Sequence, residues 1–162
     1  MKTSSIYQKL VSYIRKEIGV NIISDNADFN LGAYRPDTDT IVINPKLHKQ
    51  GQYCASTLLH EFGHYIIFRN ASKRYINKAN KAYNDYADCI PDHKSSYEDN
   101  GKRISKTSCN TILTEERNAW SIGRKLFVRM FPDEKDFLTL YNKDRKESID
   151  DYKMRLKYIV RK

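Results

Sequence analysis

The chain has 162 residues, of which 40% are apolar and 12% aromatic, and it carries a formal charge of +9. That length and composition suit one domain with a sizeable core and exclude a disordered or fibrous protein. No apolar run approaches membrane-spanning length, the first residues lack the apolar centre of a signal peptide, and three Cys at irregular spacing argue against a disulfide framework. A reducing cytosol is the expected location. The positive charge permits attraction to nucleic acid or acidic protein without specifying either.

Ile6, Leu10, Val11, Tyr13, Ile14 and Ile18 recur at helical spacing. They predict an amphipathic helix over 4–17, with Gly19 just past its end. Residues 21–24 read as a short strand. Residues 31–34 and 40–44 flank Arg35-Pro36-Asp37-Thr38-Asp39, which predicts a β-hairpin closed by Pro45. From 50 to 69 the chain is apolar around most of its circumference, the pattern of a helix buried on most sides. Gly63 inside it suggests close approach of a neighbouring element.

Between 70 and 110 the character changes. Tyr75, Ala79, Ala82, Tyr83 and Tyr86 keep rough helical spacing, so 72–87 is expected as a surface helix and the remainder as a polar loop or flap. A second strong helix is predicted over 114–130, before Pro132, with Ala119, Trp120, Gly123, Leu126, Phe127 and Met130 as its apolar stripe. Shorter helices are expected over 133–141 and 147–159. The fold class is therefore α+β: a single domain over 1–162, a small twisted sheet or hairpin on two core helices, and amphipathic helices at both termini.

The chemistry concentrates in His60-Glu61-Phe62-Gly63-His64, an H-E-x-x-H pattern within the 50–69 helix. Composition alone would produce roughly 0.004 copies of it. Residues four apart share a helical face, so two imidazoles there can grip one zinc ion, and the intervening Glu61 can take a proton from water bound to the metal. Packing of two histidines and a glutamate in a core without a metal is the blander alternative, but buried Glu and His need partners. A catalytic zinc takes a third protein ligand and keeps one position open. Glu116 is the best candidate, since counting back three, four and seven residues along the stripe of its helix lands on it. Glu115, at the edge of that face, Asp88, Asp92 and His93 are the alternatives. Cys89 and Cys109 lack the close spacing of a second metal site, and His48 and His93 read as surface histidines.

Thr57-Leu58-Leu59-His60-Glu61-Phe62-Gly63-His64 resembles the active-site helix of zincin metallopeptidases. Glu116-Arg117-Asn118-Ala119-Trp120 is similar to the E-x-x-A segment of the gluzincin branch. The hairpin of Gly32-Ala33-Tyr34 and Ile41-Val42-Ile43-Asn44-Pro45 resembles that of the small ImmA/IrrE-like members found in bacteria, phages and mobile elements. The resemblance spans about residues 28–130, without the 70–110 insert. It implies a Zn²⁺-dependent peptidase with His60, His64 and Glu116 as ligands and Glu61 as general base. It further implies a peptide substrate that lies along an edge strand, for which Gly32, Ala33 and Tyr34 are the candidates. Trp120 stands near the place where members often carry a polar residue that orients a zinc-bound histidine, so that partner is unassigned. Tyr34 and Tyr141 are candidate oxyanion stabilisers. Two further readings stand beside this one. A nucleic-acid-associated protein could use Lys73, Arg74, Lys78 and Lys81. A silent zincin-fold interaction protein would have no need of Glu61.

Overall fold

The computed structural model describes residues 3–25, 31–44, 46, 51–89 and 101–160. The fold is α+β, with five helices and a three-stranded sheet among the described residues. Helix α1 (Thr3–Tyr13) runs directly into a π-helical turn, Ile14–Ile18. Its buried Ile6, Leu10 and Ile14 lie on the stripe that the sequence pattern predicts. Strand β1 (Asn21–Ser24) leads to β2 (Gly32–Arg35) and β3 (Thr40–Ile43), the two arms of the predicted hairpin. The sheet order is β1-β3-β2, with β1 parallel and β2 antiparallel to β3. The central β3 is buried along its whole length, and one edge of β2 pairs with no strand among the described residues.

Helix α2 (Gly51–Asn70) is the axis of the molecule. It touches α1, α4, α5, β2 and β3, as its nearly continuous apolar surface requires. Its tightest partner is α4 (Lys106–Met130). A Cβ on Gly63 would stand 2.1 Å from the Ala119 carbonyl oxygen, and one on Gly123 would stand 2.3 Å from that of Leu59. The two helices therefore meet backbone to backbone, and only hydrogen fits at either glycine. Gly63→Ala gains helix propensity of about 1 kcal/mol but must push α4 away, so a net loss of about 1–3 kcal/mol is expected. Denaturant titration measures this directly. A variant as stable as the wild type would mean that the crossing is loose.

The surface helix expected over 72–87 is present as α3 (Lys73–Cys89), with its outer face exposed. It packs on α4 and buries Ala79, Ala82 and Cys89. Two other expectations need correction. Helix α4 begins eight residues earlier than the apolar stripe suggests, because Ser105 caps it by accepting from the Ser108 amide at 3.0 Å. The two short C-terminal helices are one, α5 (Lys135–Ile159). Residues 142–146 contain neither Gly nor Pro, and good helix formers carry the helix across a stretch with little apolar signal. The flap expected beyond α3 falls largely at 90–100, outside the described residues. Among the described residues no helix is long and apolar enough to cross a membrane.

The core has two parts. The larger joins α1, the sheet, α2 and Trp120, Phe127, Phe137 and Tyr141. The smaller joins Ala82, Cys89, Ile104, Cys109, Ile112 and Leu156 from α3, α4 and α5. Along α4, Ile112 belongs to the smaller cluster and Trp120 to the larger. Glu115 and Glu116 fall at the seam between them.

Candidate metal centre

His60 and His64 lie one turn apart on α2, and their Nε2 atoms converge to 3.1 Å. Glu116 reaches them from α4, with Oε2 3.2 Å from His60 Nε2 and Oε1 3.8 Å from His64 Nε2. Nitrogen and oxygen ligands about 2.0–2.1 Å from a tetrahedral metal stand roughly 3.3–3.4 Å from one another. Two of the closest approaches, 3.1 and 3.2 Å, are near that spacing, and the third, through the other Glu116 oxygen, is wider at 3.8 Å. Among the described residues this is the one group of His, Cys, Asp or Glu that could hold a metal ion. It is positioned to do so.

Each of the three side chains is held from behind, and in a different way. His64 Nδ1 meets Glu115 Oε1 at 3.1 Å. The His60 ring lies against Trp120 with centroids 4.5 Å apart, while its Nδ1 is buried without a hydrogen-bond partner among the described residues. The Tyr83 hydroxyl donates to Glu116 Oε1 at 2.8 Å, leaving Oε2 on the side of His60. Second-layer partners of this kind fix ring orientation and ligand basicity.

Glu61, Glu115 and Glu116 are 7%, 0% and 2% exposed. Three buried carboxylates beside two imidazoles form a site in need of positive charge, which a divalent cation would satisfy. The titration behaviour of the metal-free set reflects this. Burial opposes a proton on His64, but the Glu115 hydrogen bond and the charges of Glu116 and Glu61 outweigh it and push the imidazole up to about 9. Burial would raise Glu116, yet His60, His64 and the Tyr83 hydroxyl pull it down to about 2. Burial and the neighbouring Glu116 push the Tyr83 and Tyr152 phenols well up, so both remain hydrogen-bond donors.

Glu61 stands apart from the ligand trio. Its Oε2 accepts the Tyr34 amide at 2.9 Å. The register pairs Tyr34 with Ile41, and Asn44 donates to the Leu31 carbonyl. In the alternating antiparallel pattern the Tyr34 N–H therefore points away from β3, to the free edge of β2. Gly32 holds the start of that strand tightly on α2, since a Cβ there would meet Thr57 Cγ2 at 2.5 Å. Ala33 lies between these two positions on the same edge strand.

The remaining candidates lie elsewhere. Glu115, expected at the edge of the α4 face, is wholly buried and supports His64. Asp88 is exposed on α3. Cys89 and Cys109 are free thiols in the smaller core, pushed up by burial. His48, Asp92 and His93 lie outside the described residues. The two tyrosines considered as oxyanion stabilisers are engaged in other contacts. Tyr141 donates to the Trp120 carbonyl at 2.7 Å, and Tyr34 donates to Asp39 Oδ1 at 2.7 Å. The tyrosines at the site are Tyr83 and Tyr152, which the sequence left among twelve. Tyr83→Phe keeps the ring and removes one hydrogen bond to Glu116. A 10–100-fold loss of metal affinity is expected, measured by competition with a chelating dye. Unchanged affinity would reduce Tyr83 to a packing residue.

Comparison of the chain with protein-family models, with curated proteins and with solved structures finds no match.

Proposed function

We propose that the protein is a zinc-dependent metallopeptidase of the zincin type, with His60, His64 and Glu116 as ligands and Glu61 as general base. The observation that carries this reading is the position of Glu61. It is buried beside the ligand trio, yet it bonds to the outward amide of an edge strand rather than joining the trio. A closed structural site has no use for such a group. Zinc at the three ligand atoms would polarise a peptide carbonyl and acidify water. Glu61 then accepts the proton of the attacking water and passes it to the leaving amine. The free edge of β2 offers the outward backbone groups of Gly32 and Tyr34, on either side of Ala33, to an extended peptide. Such a peptide would take over the Tyr34 amide and release the Glu61 carboxylate for its work. Substrate binding and activation of the base would be one event.

His60 and His64 are each 12% exposed, so the ligands are reachable from outside without being solvated. The test is incubation of the zinc-loaded protein with a broad peptide library, followed by sequencing of new N-termini. Cleavage at a restricted set of bonds, absent after chelation and restored by zinc, supports the reading. A library left intact by fully loaded protein removes it, in favour of a metal-stabilised interaction protein.

A further inference from the structure

A shallow groove of about 360 Å³ runs between α4 and α5, lined by none of the trio's side chains, although Arg117 directly follows Glu116 in the sequence. Arg117 enters it from α4, and Arg145, Lys146 and Lys153 enter from α5. One carboxylate, Asp150, faces these four cations, and it is already bonded to Lys153 at 2.8 Å. Arg117, Arg145 and Lys146 form no ion pair with any described residue. Like charges gathered from two helices repel one another, and nothing in the fold requires them to converge. We infer that this groove binds the phosphate backbone of a nucleic acid.

The groove's chemistry favours phosphate over an acidic protein. Guanidinium forks match phosphate oxygens bidentately, and two of the three unpaired cations are arginines. Protein interfaces are anchored by buried aromatic side chains, whereas the groove's apolar floor is Ile149 alone. From Arg145 to Lys153 the helix advances about 12 Å. That spans three or four phosphates of one strand, at about 3.4 Å of axis each. The net charge of +9 adds long-range attraction. The inference differs in place from the Lys73, Arg74, Lys78 and Lys81 surface of α3, where Lys81 is engaged by both oxygens of Asp85. It holds whether or not the metal site is catalytic.

The test is fluorescence anisotropy of a labelled DNA duplex with the full chain between 50 and 200 mM salt. Phosphate contacts from the three unpaired cations predict a logarithmic salt slope of about −2.7, and so an affinity that falls roughly 40-fold over that range. The triple variant Arg117→Gln/Arg145→Gln/Lys146→Gln should bind more weakly, and its affinity should hardly change with salt. An equal change of net charge on α3, Lys73→Gln/Arg74→Gln/Lys78→Gln, should leave the slope near the wild-type value. Single variants at Arg145 and Lys146, each lowering the slope by about 0.9, give the same answer if the triple variant folds poorly. Three results overturn the inference. One is no binding at 50 mM salt. Another is equal loss in both triple variants, which reduces the effect to net charge. The third is a polyglutamate peptide that binds the groove as tightly as the duplex, which makes the partner an acidic protein.

Discussion

Glu61→Gln is expected to lower peptide cleavage by about 10²–10⁴-fold, the usual contribution of a positioned general base, while zinc still binds stoichiometrically. The substitution is nearly isosteric. The carboxamide oxygen can still accept the Tyr34 amide, which Glu61 Oε2 now holds at 2.9 Å. What the amide cannot do is take a proton from water. Loss of cleavage with metal retained therefore isolates proton transfer from site assembly. Two results would count against the assignment, and they differ in meaning. Full cleavage by the variant would show that another group is the base. Loss of zinc would show that Glu61 is a ligand, and that the trio of His60, His64 and Glu116 is incomplete.

The second large effect is on stability. Zinc at 100 times its dissociation constant should stabilise the folded chain by about 2.7 kcal/mol. For a chain of this length that corresponds to a rise in Tm of roughly 5–11 °C. The physical source is the buried charge at the seam of the two core clusters, where Glu115 and Glu116 stand against His64 and His60. Glu116→Gln removes an anionic ligand while keeping its shape, so the rise should almost vanish. Glu61→Gln should keep most of it. Differential scanning calorimetry with and without zinc, on the three proteins, reads this out. An undiminished shift in Glu116→Gln would place the stabilising zinc somewhere other than the α2–α4 crossing. A full shift together with no cleavage by the wild type would leave a metal site without peptidase chemistry, so the two predictions fail separately.

The features legible in the sequence are those written at short range. His60 and His64 share a face because they are four apart on a helix, and the apolar run around them identifies that helix. Glu116 is found by the same rule, since helical phase is a local property and the α4 stripe is long enough to define it. The hairpin is equally local, two short β-prone runs around a Pro/Asp turn. The predicted breaks were less secure. The pause at 142–146 interrupts the apolar signal but holds no residue that stops a helix, so α5 continues through it. The start of α4 depends on Ser105, one capping side chain inside a polar stretch where apolar periodicity says nothing.

The sequence by itself therefore determined the α+β class, the helix that carries His60 and His64 and the acidic residue that meets it. Tertiary structure alone decided that β1 joins β3 in parallel, that Tyr83 comes from 33 residues upstream to hold Glu116, and that Glu115 backs His64 while Trp120 backs His60. It also decided that Arg117 meets Arg145 and Lys146 across a groove. The reason is physical. Periodicity records which face of an element is buried, whereas the choice among twelve tyrosines, or among 29 cations, is made by which faces dock and how closely. Here that choice turns on the glycines at 63 and 123. They bring α2 and α4 into backbone contact and so set the distance between the histidines and the glutamate.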